Sequence, residues 1–132
     1  MSTAKTGTFI ARYKVTNHNV GGPTLYLNLV VTTPTEKVNG SAEVTIGSIN
    51  PPFELNTPVS GDFTYMTVMP DNTHILVVLA SPILIQDGSE FTARLVLKGD
   101  WKSGVATYTF AGPNGFTTIK DAKVELVEPV TA

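Results

Sequence analysis

A chain of 132 residues is long enough for one ordinary domain with its own core, and the absence of cysteine removes thiolate zinc sites, iron–sulfur clusters and cysteine nucleophiles. Charged residues make up only 15% of the chain. The charge is also spread evenly, with four basic and four acidic side chains in residues 1–66 and five against seven in residues 67–132, so there is no basic stripe and nucleic acid is a poor candidate partner.

The opening MSTAKTGT is polar and has no apolar stretch of the secretory kind. The longest apolar run, Ile75 to Ile85, is broken by Ser81 and Pro82 and is too short for a bilayer-spanning helix. A cytoplasmic protein without a membrane span is the default expectation, with export by a route lacking a cleaved signal left open. Threonine (19) and valine (15) supply 34 of the 132 residues, a bias toward side chains that suit a pleated surface.

In chain order, the period is two almost throughout. Phe9, Ala11, Tyr13 and Val15 alternate with a largely polar face, which predicts a first strand. Leu25, Leu27, Leu29 and Val31 predict a second over 24–33, and Ala42, Val44 and Ile46 a third over 41–48. Between these, VNGS (38–41) carries Asn-Gly, a strong turn signal that Pro34 widens into a loop. Residues 49–61, INPPFELNTPVSG, hold three prolines that cannot donate to a ladder, so this stretch reads as a stiff, unpaired sheet-to-sheet crossover. Phe53 and Leu55 then tuck beneath it; the sharper alternative is a presented recognition loop with Asn50 beside Phe53 as its anchor.

Phe63 and Tyr65 oppose Met66 and Val68 on the next strand. MPDNT (69–73) has the order of a type I turn. Residues 74–80, HILVVLA, are apolar on both faces, which predicts a central strand covered on both sides. Phe91 to Leu97 and Ala106 to Phe110 mark two more strands, linked by GDWKSG (99–104), and GPNG (112–115) leads to 117–127, a strand or a short helix. About eight strands with short turns predict a single all-β domain over 1–132: an antiparallel β-sandwich, or alternatively a flattened β-barrel.

Several of these stretches resemble a known family. TPT–VNG–AE (33–43), NPP (50–52), Val59-Ser60-Gly61, YM (65–66), HIL (74–76) and W–SG–A–Y (101–108) are similar to recurring features of a family of small bacterial domains of unknown function. The resemblance runs from Leu25 to Phe110. It implies a bacterial source and brings no activity and no catalytic residues; its recurring positions are those of turns and packing.

Candidates for chemistry are few. His74 reads as a half-buried residue bonding the preceding turn, or as a general base oriented by Asp71. His18, in TNHN, reads as a solvated turn residue. No metal-ligand spacing exists for the two histidines, and a calcium site would have to draw on Asp71, Asp87 and Glu90, too few carboxylates for six to eight oxygens. Glu43 and Asp62 flank the proline stretch as a conceivable carboxylate pair. There is no nucleophile elbow, phosphate loop or dinucleotide fingerprint.

Trp101 either folds back over the end of the core, with Lys102 solvated beside it, or stands out as a platform for a sugar or protein. No cofactor or metal is implied. The expected function is therefore a non-catalytic binding module whose partner is a protein, a glycan or a second copy, with Asn50, Phe53, Trp101 and Lys102 as candidate contacts. The alternatives are a carrier of small apolar ligands and a hydrolase or isomerase using His74. For self-association, an edge strand or the proline stretch is expected to serve, and residues 41–48 read as the least protected edge.

Overall fold

In a computed structural model, residues 7–17, 22–49, 51–69, 72–85, 88–113 and 115–127 are described. Eight long strands account for most of them: β1 (Thr8–Thr16), β2 (Thr24–Thr32), β3 (Lys37–Ile46), β4 (Phe53–Met69), β5 (Asn72–Ala80), β8 (Phe91–Lys98), β9 (Ser103–Gly112) and β10 (Gly115–Leu126). A two-stranded excursion, β6 (Leu84–Ile85) with β7 (Gly88–Ser89), interrupts the path from β5 to β8. The order β1-β10-β9-β8-β5-β4-β3-β2 closes on itself, so of the two all-β architectures the barrel is the one formed. All pairings are antiparallel, and every neighbour is a sequence neighbour except at β5–β8 and at the β1–β10 seam.

The alternation that marks the strands also fills the barrel. Ala11, Tyr13 and Val15 of β1, Leu25, Leu27, Leu29 and Val31 of β2, and Phe91, Ala93, Leu95 and Leu97 of β8 all point inward and are buried, while their neighbours face outward. Eight strands leave an interior about wide enough for side chains to occupy. Tyr13, Tyr108, Phe63, Phe91 and Phe110 are the bulkiest of the side chains that are wholly enclosed. Residues 117–126 belong to β10, and the helical alternative does not form.

Two expectations for the centre of the chain are corrected. The proline stretch is not an unpaired crossover: only residues 47–52 connect, and from Phe53 the chain pairs with β3 through Ile46↔Phe53, Val44↔Leu55 and Ser41↔Pro58 up to Lys37↔Asp62. Pro58 is tolerated because the β4–β5 ladder stops at Ser60↔Ala80, and the same register carried two residues further would set Pro58 against Pro82. The missing donors thus fall where β4 has lost its neighbour on that side.

The second correction concerns VNGS. Val38 to Ser41 lie inside β3, and the β2–β3 turn is made by residues 33–36, with Glu36 N–H donating to Thr33 C=O at 3.2 Å. Gly40 is required there for proximity rather than for turning, since a Cβ would overlap the carbonyl oxygen of Asn28. Gly61, its near neighbour on β4, stands in the same relation to Val78. Such side-chain-free points let barrel strands coil tightly past one another. It follows that residues 41–46 are no edge; β3 is flanked by β2 and β4 along its length.

Candidate functional site

Trp101 sits in the β8–β9 link with φ of 66°, a left-handed conformation that bulky residues seldom adopt. Its N–H donates to Lys98 C=O at 2.9 Å, and Lys102 N–H donates to the Asp100 carboxylate at 3.0 Å. This turn swings the indole inward, where it is 4% exposed and meets Phe9 and Phe63 edge to face, with centroids 5.2 and 5.1 Å away. The buried Tyr13 hydroxyl donates to the Trp101 carbonyl at 2.7 Å. Burial, with Asp100 adding to it, holds the Tyr13 phenol well above its ordinary pKa. Trp101 is thus the lid of the two alternatives, and its ring offers no face to a ligand.

The other candidate contacts do not join it. Phe53 is half-buried, packed on Phe110 at 5.9 Å, at the end of the barrel opposite Trp101. Lys102 is exposed and its carbonyl accepts from Leu126 N–H. Asn50 lies outside the described residues, as do His18, Asp71 and Asp87. Nothing in the geometry brings Phe53, Trp101 and Lys102 to one surface.

The acid–base candidates are also dispersed. His74 is half-buried on β5, opposite Met66 and Lys98, with its Nδ1 enclosed and no partner among the described residues. Asp62 pairs with Lys37 at 2.8 Å. Glu43 stands opposite Asn56, six positions along β4 from Asp62. At about 3.3 Å per residue the two carboxylates are roughly 20 Å apart, beyond the ~10 Å that glycoside hydrolysis tolerates. Among the described residues no group of three or more His, Asp or Glu side chains converges as a metal site.

What the barrel does expose is an apolar outer wall. Ile75, Val77 and Leu79 of HILVVLA point inward and are buried, so Leu76 and Val78 face out. Leu76 stands opposite Val96 of β8, and Val96 opposite Val105 of β9, which makes a continuous apolar row across three strands. Val78 extends it along β5. Val78 is 45% exposed and Val105 49%. Beside them a shallow groove of about 380 Å³ is lined by Val78, Ala80, Arg94, Thr107 and Thr109. The cover predicted for both faces of β5 is therefore present on one face only.

This wall is the feature that sequence reasoning missed. The signal was present in HILVVLA, whose second apolar face has no partner within the barrel. A second groove, about 300 Å³, lies on the opposite wall among Arg12, Tyr26, Asn28 and Glu43.

Residues 6–115 match the model of a family described as "Domain of unknown function (DUF1842)". The chain belongs to that family. The matched span takes in β1 to β9 and stops where β10 begins, so the strand that closes the ring lies beyond it. No curated protein is similar enough to the chain to count as a match. The family description assigns no activity, and no role passes from it to any residue. Among the described residues, no helix is long and apolar enough to cross a membrane.

Proposed function

We propose that this protein is a non-catalytic interaction module that docks through the outer wall of β5, β8 and β9. One observation carries the reading: exposed Val78 and Val105 are joined through half-buried Leu76 and Val96 into a contiguous apolar patch on a strand set whose other face already lines the core. Single exposed apolar side chains are ordinary, but adjoining ones mark surfaces that are covered in use. The dispersal of His74, Glu43 and Asp62 supports binding over catalysis. The aromatic and aliphatic side chains that occupy the interior support it over carriage of a small apolar ligand.

The test is native mass spectrometry of the protein purified gently from its own host, beside a Val78→Asp variant. The wild type is expected to carry an added mass or to appear as a multiple of the 14.1 kDa chain, and the variant to lose it. A bare monomer in both, or an assembly indifferent to the substitution, refutes this use of the wall. A turnover abolished by changing one side chain would refute the non-catalytic reading itself.

A further inference from the structure

The chemistry around the apolar row favours one kind of occupant. On the outer surface, Asp62 of β4, Val78 of β5 and Arg94 of β8 stand in a single cross-strand row, through the pairs Asp62↔Val78 and Val78↔Arg94. All three are exposed. An acid and a base therefore flank Val78 at equal distance, one strand spacing on either side. Such an arrangement complements itself. If a two-fold axis runs along β5 above Val78, rotation places β4 of one copy over β8 of the other. Each Asp62 then meets an Arg94, each Val78 its own counterpart, and Leu76 packs on Leu76.

We propose that the partner of this wall is a second copy of the same chain, docked face to face about that axis. This deepens the interaction reading above and rests on it. The ring is closed, so open edge is confined to short stretches such as β4 before Ser60 and the strand ends outside the β1–β10 seam, whereas the wall offers a whole face. Leu76 and Val78 lie on the axis, and the oppositely charged pair stands one strand out on either side. A net charge of −2 per chain puts little repulsion between copies.

The patch is small. The three strands about the axis, β4, β5 and β8, at about 4.8 Å spacing and some eight residues of length cover roughly 400 Å² per copy. Two copies would bury about 800 Å², in the range of weak and transient contacts, so a reversible dimer in the high micromolar range is expected.

The experiment is sedimentation equilibrium of the full chain from micromolar to millimolar concentration, for the wild type, Asp62→Arg, Arg94→Asp and an equimolar mixture of the two variants. The wild type is expected to dimerise with concentration. Each single variant sets like charges against each other across the axis and should weaken dimerisation about tenfold or more. Mixing them sets the new guanidinium at position 62 against the new carboxylate at position 94, with the native pair on the other side, so a heterodimer should return near wild-type affinity. Native mass spectrometry identifies that species by its two unequal subunit masses.

A wild type that stays monomeric at millimolar concentration overturns the proposal. So does a dimer that neither variant weakens, or a mixture that fails to recover. Thermal unfolding of each variant checks that the fold survives, since both positions are exposed. The two readings fail separately. If the wild type is monomeric yet Val78→Asp removes a mass acquired from the host, the wall is an interaction surface for another protein and only the self-partner falls; if no mass is acquired either, both fall.

Discussion

Two buried tyrosines sit in contrasting parts of the same interior. Tyr13, under the Trp101 lid, donates its hydroxyl to a backbone carbonyl within a cluster of edge-to-face rings. Tyr108 lies in the row of Phe91, Tyr108 and Phe110, rings inclined by 34° and 29° with centroids 6.1 and 6.0 Å apart, and its hydroxyl has no partner among the described residues. Burial raises both phenols far above their ordinary pKa. The same residue type is therefore used in two ways. At the lid the hydroxyl fixes a strained turn, whereas in the row the ring fills space and the hydroxyl is carried along at a cost.

The largest effect should come from the lid. Trp101→Ala removes a buried indole and is expected to cost about 3–5 kcal/mol by urea unfolding. Trp101→Gly should cost about 1 kcal/mol less than the alanine variant, reversing the usual order, because glycine accepts a φ of 66° without strain. If glycine proves worse than alanine, the strained turn contributes nothing and the lid is simple packing.

High pH acts on both tyrosines. Their folded pKa values lie above the unfolded value of 10.0, so the protonated form is favoured on folding. That stability is complete below pH 10 and declines as pH rises toward the folded values, by about 1.4 kcal/mol per pH unit for each tyrosine while only the unfolded chain ionises. Unfolding midpoints followed from pH 8 upward should show this decline, and either Tyr→Phe substitution should remove its own share of it.

At neutral pH the two substitutions should part. Tyr13→Phe leaves the buried Trp101 carbonyl without its donor and is expected to cost about 1–2 kcal/mol. Tyr108→Phe removes an unpaired hydroxyl and should change stability by less than about 0.5 kcal/mol, or improve it. Equal losses at the two positions would mean that the two hydroxyls play the same part.

Much of this arrangement was legible in the chain. Period two gives the strands and, through Tyr13 and Leu27 or Leu95 and Leu97, the side chains that meet inside. Local signals failed where a distant strand decides the outcome. Asn39-Gly40 has turn chemistry, yet Gly40 serves the close approach of Asn28 across the ladder. Pro58 breaks ladders in general, but its neighbour on one side has already left. HILVVLA has two apolar faces in sequence, and only the closed topology reveals that one remains uncovered. Trp101 was legible as a lid or a platform, and the left-handed turn that chooses between them has no signature, because the residue in it is not glycine.

The seam between β1 and β10 bears on how the molecule assembles. Among the described residues, four pairs, Tyr13↔Leu126 to Thr16↔Lys123, and a bond from Val127 N–H to Arg12 C=O join strands about 110 residues apart, whereas β2–β3 and β3–β4 are local hairpins. Loop-closure entropy places such a contact last and makes it slow. During synthesis, then, the barrel exists for a time as an open, curled sheet with two unsatisfied margins, and its exposure to misassembly ends only when the twelve residues of β10 have emerged and locked against the first strand.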